Sequence, residues 1–312
     1  MGLNSQIKNT SPDLSVQLGK LRMKNPVTTA SGTYGFGSEW ADFYDLSELG
    51  AITVKAVTVK PRLGNPMPRT AETPAGMLNS IGLQNPGLDA FLSEKLPYLR
   101  NFDVPVIVNI AADRIEDFIT LSERLDATEG VAALEANISC PNQACGGIEF
   151  GTDPVLTRQV IESIRKHTKL PLIAKLSPNV TDITEIARAA EDGGADILSL
   201  VNTFVGTAID IRKRTFKLAN RRGGLSGPCI KPLALYMTWR VASSIKLPVI
   251  GMGGISSAED AVEFLLAGAS AVAVGTANFV NPMIALDVVN GIREYLISQG
   301  AESVREIIGT VR

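Results

Sequence analysis

Short apolar, β-branched runs recur along this chain, and the stretches between several of them carry apolar positions at helical spacing. The runs are PVTTA (26–30), AITVKA (51–56), PVIVNI (105–110), ALEANIS (133–139), PLIAKLS (171–177), DILSLVN (196–202), PVIGMGG (248–254) and AVAVGTA (271–277). Continuous short runs of this kind, punctuated by Pro and Gly, are the signature of strands buried on both faces. Among the intervening stretches, RIEDFITLSERLDA, DITEIARAAEDGG and SAEDAVEFLLAGA have amphipathic helical patterns. The last two finish in Gly, as helix C-termini prefer. Eight strand runs with crossover helices predict a parallel (β/α)8 barrel. A doubly wound open sheet is the competing fold. It usually opens on a GxGxxG turn, whereas the glycine-rich strand ends come late here.

The beat is uneven. Long connections at 57–85, 140–153 and 203–231 follow the second, fourth and sixth runs. All three sit at strand C-terminal ends, the face on which barrel active sites are built. They predict lids over one site and are too short to be domains, so residues 1–312 read as a single barrel domain. VQLGKLRMKNP, before the first run, predicts a small hairpin closing the opposite end.

Composition narrows the chemistry. Thirty basic against 32 acidic residues give a net charge of −2, with a pI near 5.7. Neutralising phosphates along a nucleic acid needs a clear basic excess, so that class of partner is not expected. The N-terminus is polar and no 18-residue apolar run follows, so neither a signal peptide nor a membrane span is expected. Three cysteines, Cys140, Cys145 and Cys229, suit a reducing cytoplasm rather than a disulfide framework. The single histidine, His167, excludes multi-histidine metal sites and reads as part of a solvated helix end. No metal is expected.

Candidate chemistry gathers at the strand ends. GMGG (251–254) and GT (275–276) end the last two strands, where this fold most often cradles a phosphate on backbone N–H groups. Lys55 and Lys175 end two others, and an ammonium inside an apolar strand is costly unless paired or used. They suit either an anionic cofactor or substrate, or a Schiff base with a carbonyl. Asn79, Asn109, Asn137 and Asn202 lie near the same end, and converging amides suit a heterocycle rich in N–H and C=O groups. In NISCPN (137–142), Pro141 turns the chain and sets Cys140 at the mouth. With no catalytic histidine in view, its thiolate reads as a general base. Cys229 reads as an inert core residue.

At these motifs the chain resembles class 1 dihydroorotate dehydrogenases, FMN-dependent barrel enzymes of pyrimidine synthesis. The matching stretches are ASGTYGFG, VKAVT…PRLGNPMPR, MLNSIGLQNPG, NISCPN…GG…FGTDP, AKLSPNVTDI, LVNT, GGLSGPCIKP, GMGGI and AVAVGTA, from about residue 29 to 281. A cysteine base and no N-terminal membrane-associating extension mark class 1. GLQNPG, SPNVTDI and GMGG are similar to subclass 1B, whose members pass electrons to NAD⁺ through a separate subunit carrying FAD and a [2Fe–2S] cluster. One departure is VNIAA (108–112), where the family more usually ends in Gly.

The resemblance implies a site residue by residue. FMN is expected on Ser31, Lys55, Ala56, Asn109, Asn137, Lys175, Val201, Gly227, Gly253, Gly254, Gly275 and Thr276. Dihydroorotate is expected on Lys55, Asn79, Ser80, Ile81, Gly82, Leu83, Asn137, Asn142, Asn202 and Thr203. Cys140 would take the C5 proton while C6 gives hydride to the flavin. A homodimeric core within a heterotetramer is also implied. Rival readings are a dihydropyrimidine dehydrogenase-type flavoenzyme, a tRNA dihydrouridine synthase, a lysine Schiff-base aldolase and a non-catalytic phosphate-binding scaffold. The acidic pI and the spent length count against the tRNA enzyme, and the cysteine loop and buried lysines against the scaffold.

Overall fold

The computed structural model describes residues 11–139 and 150–311. Its central strands are β1 (Val27–Thr29), β2 (Ile52–Val57), β3 (Val106–Ile110), β4 (Ala133–Asn137), β5 (Leu172–Lys175), β6 (Ile197–Leu200), β7 (Val249–Met252) and β8 (Ala271–Val274). Each coincides with a predicted run to within a few residues. Side chains along β3 to β8 are all buried, which is why the sequence there does not alternate.

Pairing is parallel throughout, in the order β1-β8-β7-β6-β5-β4-β3-β2. Strand neighbours in space are neighbours in sequence, with no reversal of the kind a doubly wound sheet requires. Between β1 and β2, side chains close the seam. The Thr29 hydroxyl donates to the Thr53 carbonyl at 3.2 Å and accepts from the Thr53 N–H at 3.0 Å. The Thr28 and Thr53 hydroxyls lie 3.2 Å apart. The result is a (β/α)8 barrel.

The helices outside it are α1 (Ile115–Asp126), α2 (Pro154–Arg165), α3 (Ile183–Asp192), α4 (Lys231–Ala242), α5 (Ala258–Leu266) and α6 (Ile284–Gln299). Their starts are written in the chain. Asp153 caps α2 by accepting from Leu156 N–H at 2.9 Å, with Pro154 in the first turn. Asp182 caps α3 through Thr184 N–H at 2.9 Å. Along α3, Ile183, Ile186, Ala187 and Ala190 are buried, one stripe facing the barrel.

The first two crossovers are irregular. Between β1 and β2 runs a loop with one 3-10 turn, Leu46–Glu48. Aromatic side chains staple it: Tyr34 stacks on Trp40 at 5.2 Å, and its hydroxyl meets that of Tyr44 at 2.7 Å. Between β2 and β3 lies a helical segment, 88–99, with a π-helical middle, Phe91–Lys95.

The predicted hairpin pairs Val16–Leu18 with Leu21–Met23. Its turn at Gly19 comes beside Asp196, just before β6, so it does close the end opposite the lids. Two of the predicted lids merge. Phe204–Gly206, Gly223–Ser226, Gly76–Asn79 and Thr70–Thr73 form one antiparallel sheet across the other end. Most of the third lid, 140–149, lies outside the described residues.

Candidate functional site

A cavity of about 1060 Å³, counted out to its open mouth, occupies the barrel end beneath the merged lid sheet. From the predicted cofactor set, Ser31, Lys55, Ala56, Asn137, Lys175, Val201, Gly227, Gly253, Gly254, Gly275 and Thr276 line it. So do Asn79, Ile81, Gly82, Leu83, Asn202 and Thr203 from the predicted substrate set. Lys55 and Lys175 are the ionisable groups among its described lining residues. No carboxylate is among those lining residues.

Two predicted members stand behind the wall. Asn109 is wholly buried and meets the site through Asn137, whose amide N–H donates to Asn109 Oδ1 at 3.3 Å. Ser80 is also fully buried, and its hydroxyl has no hydrogen-bond partner among the described residues. Cys140 and Asn142, with Cys145, lie outside the described residues. Cys229 corrects the sequence reading: it is exposed, in the 3-10 turn Pro228–Ile230, because that turn leaves β-structure at the lid rather than entering the core. His167 sits just past α2 and is half-buried, its Nδ1 2.8 Å from the Ser163 carbonyl. Ala112 does not line the cavity.

The asparagines are held in a chain. Asn202 Nδ2 donates to the Ser139 hydroxyl at 2.9 Å, and that hydroxyl reaches Asn137 Oδ1 at 3.4 Å. Asn137 continues to Asn109, and Asn109 Nδ2 donates to Glu135 Oε1 at 2.5 Å. Asn202 Oδ1 in turn accepts from Thr203 N–H at 2.8 Å. Each amide can therefore point in one sense only.

Glu135 was not singled out in the sequence. It is 2% exposed, and its carboxylate lies 3.7 Å from Lys175 Nζ, itself 5% exposed. Lys175 also donates to the Ser31 hydroxyl at 3.3 Å. A charge inside an apolar strand is as costly for this glutamate in ALEANIS as for Lys55 and Lys175.

The chain after β7 turns through Gly253 and Gly254 at φ values of 125° and 80°. A Cβ on Gly254 would stand 2.7 Å from the Lys231 backbone nitrogen. Glycine lets main chain pack on main chain here, and both glycines line the cavity. The Thr276 hydroxyl donates to the Ser226 hydroxyl at 2.8 Å, tying the loop after β8 to the lid sheet.

Asp260 braces the β7 loop from outside. It accepts from Ser256 N–H and hydroxyl, both at 2.8 Å, and from Lys231 Nζ at 2.6 Å. Burial works against its charge, but these donors outweigh it and hold the carboxyl below its ordinary value. The hydrogen bond that Lys231 donates to Asp260, with a second donated to Glu263 at 3.0 Å, raises Lys231 above the usual lysine value.

Among the described residues there is no group of three His, Cys, Asp or Glu side chains able to hold a metal ion. No described helix is long and apolar enough to cross a membrane.

Residues 13–296 match the family model described as dihydroorotate dehydrogenase. The chain is 55% identical over 300 residues to the dihydroorotate dehydrogenase B (NAD(+)) catalytic subunit of Geotalea uraniireducens, covering 96% of this chain and 98% of that one. It is 54% identical over 301 residues to the protein of the same name from Geotalea daltonii, covering 96% and 99%. A third of that name, from Desulforudis audaxviator, is 54% identical over 295 residues, covering 95% and 96%.

Proposed function

The chain belongs to the dihydroorotate dehydrogenase family, and from that premise we propose that it oxidises dihydroorotate to orotate with FMN, as the catalytic subunit of a cytoplasmic, NAD⁺-linked enzyme. The observation that carries the reading is a cavity with two lysines and no described acid in its lining, rimmed by the amides of Asn79, Asn137 and Asn202. An anionic, amide-rich pyrimidine and an anionic cofactor both suit that wall.

The lining fits FMN. Gly253–Gly254 and Gly275–Thr276 offer backbone N–H groups to a phosphate, and Val201, Met252 and Ile255 give apolar surface for a ring system. Ser31, Lys55, Ala56, Asn137, Lys175 and Gly227 complete the cofactor wall in this reading, with Asn109 acting from behind Asn137. Dihydroorotate is assigned to Asn79, Ile81, Gly82, Leu83, Asn202 and Thr203, with Lys55 and Asn137 shared, Ser80 behind the wall and Asn142 as a further contact.

When bound, FMN supplies the acceptor for the hydride leaving C6 of dihydroorotate. Cys140 serves as the general base for the C5 proton. Lys175 presents a buried positive charge to the cofactor, and the asparagine chain fixes which amide face meets the pyrimidine. A partner subunit carrying FAD and a [2Fe–2S] cluster, within a heterotetramer on a homodimeric core, would supply the onward path for electrons. Three cysteines are too few to ligate such a cluster in this chain. A Schiff base on Lys175 is disfavoured because that lysine is engaged in a buried ion pair with Glu135, whereas that chemistry needs a free amine.

Steady-state turnover tests the reading. The purified, FMN-loaded chain should pass electrons from dihydroorotate to an artificial dye and hardly any to NAD⁺, with dihydrouracil inert to both. Rapid NAD⁺ reduction by the pure chain would overturn the partner assignment. Preference for dihydrouracil would overturn the substrate.

A further inference from the structure

We propose that Glu135 is a positioning residue that balances the charge of Lys175 and orients the Asn109–Asn137 amides, and so sets the reduction potential of the bound flavin. This deepens the FMN reading above and rests on it.

Two hydrogen-bond donors and one cation converge on the carboxylate: Asn109 Nδ2 at 2.5 Å, Ser199 Oγ at 2.8 Å, and the Lys175 ammonium as an ion pair at 3.7 Å. Ser199 is fully buried on β6, Asn109 fully buried on β3, and Glu135 lies between them on β4. Both carboxylate oxygens are thereby engaged. Stability alone does not call for this arrangement, since well-packed apolar side chains of similar volume often serve as well as a buried ion pair. A direct catalytic role is also unsuited, because Glu135 does not line the cavity whereas Lys175 and Asn137 do.

What the carboxylate does is transmitted through its partners. It can only accept hydrogen bonds, so Asn109 must turn its NH₂ toward it and its oxygen toward Asn137. Asn137 must then donate inward and keep its oxygen for Ser139. On the other side the negative charge offsets Lys175, which reaches on to Ser31 at the cavity wall. In a low-dielectric interior such a charge acts over several ångströms with little screening. Two-electron reduction places negative charge on the flavin. Neutralising Glu135 therefore leaves Lys175 uncompensated and favours the reduced cofactor.

The discriminating variant is Glu135→Gln in the full-length chain. Glutamine has the same shape; its amide oxygen can accept from Asn109 while its NH₂ donates to the Ser199 hydroxyl. Only the charge is removed. The readout is the two-electron midpoint potential of the bound FMN, by anaerobic dye equilibration at mildly alkaline pH, where reduced flavin carries its negative charge, with FMN content and melting temperature measured alongside. The expected result is full FMN content and about tenfold stabilisation of reduced over oxidised flavin, a rise of about 30 mV. A Gln variant that holds FMN at an unchanged or lowered potential overturns the proposal. Glu135→Asp, which keeps the charge but shortens the reach, should hold FMN more loosely with a potential near wild type. It decides the matter if the Gln variant does not fold: unchanged FMN affinity there overturns the proposal. A wild-type chain that takes up no FMN would instead overturn the cofactor reading.

Discussion

Replacing Gly254 with alanine puts the proposed phosphate cradle under a measurable load. The residue adopts φ = 80°, a conformation that costs an ordinary L-residue about 1–2 kcal/mol. The added Cβ would also sit 2.7 Å from the backbone nitrogen and 2.9 Å from the Cα of Lys231, at the start of α4. Neither atom is the end of a flexible side chain, so the β7 loop or α4 must shift, at the roughly 1–3 kcal/mol typical of overpacking. Together these predict a loss of about 2–5 kcal/mol, or roughly 3–8 °C in melting temperature for a chain of this size. Gly300→Ala separates the two contributions. That residue has φ = 67° with nothing within 4 Å of its would-be Cβ, and it lies at the end of α6. It should lose only the conformational part and keep its flavin. The assay is thermal melting of both variants, together with the flavin-to-protein absorbance ratio after gel filtration. Gly254→Ala should be the less stable of the two and largely apo. Wild-type melting in Gly254→Ala would refute the contact argument, and full flavin retention in it would refute the cradle.

Three further outcomes are expected. Cys140→Ala should still bind FMN and orotate, while flavin reduction by dihydroorotate slows about 10²–10⁴-fold, the usual range for a lost base; stopped-flow absorbance checks it, and an unchanged rate assigns the proton elsewhere. Asp260→Asn should destabilise the protein by about 1–3 kcal/mol at neutral pH through lost charge-assisted hydrogen bonds. Because the folded carboxyl lies below its ordinary value of 3.8, its contribution is present above that pH and lost as pH falls through the lower folded value. The difference from wild type in denaturant melts should therefore close well below pH 3.8, and a gap that persists there contradicts the linkage. Thr29→Val should cost about 1–3 kcal/mol, since the Thr53 N–H loses its acceptor in the buried seam; a neutral result in the same melts would mean the seam closes without it.

The barrel was legible because its strands are buried on both faces and punctuated by Pro and Gly, so each is a local signal. PLIAKLS and AVAVGTA announce β5 and β8 from within a few residues. The lid sheet was not legible in the same way. It pairs Leu78 with Leu225, 147 positions apart, and nothing local in either segment specifies that partner. The irregular crossover after β1 was missed for a related reason. Its order comes from Tyr34, Trp40 and Tyr44 packing on one another rather than from helical periodicity.

The site divides along the same line. Strand-end glycines, lysines and asparagines were conspicuous because their residue types are costly or unusual where they stand. Glu135 is as costly as either lysine, yet it sits between leucine and alanine two residues before the more obvious Asn137. Its partners on β3, β5 and β6 are contributed by separate beats of the fold. Cys229 went the other way: it read as an inert core residue, as cysteines often are, but it stands exposed in the turn Pro228–Ile230.

The most direct test of the whole account is an anaerobic titration of the purified, yellow chain with dihydroorotate. The account predicts stoichiometric FMN whose visible absorbance bleaches on addition of about one equivalent and returns on admitting air, with dihydrouracil leaving the spectrum unchanged. A chain that binds FMN yet keeps its colour under excess dihydroorotate would contradict it.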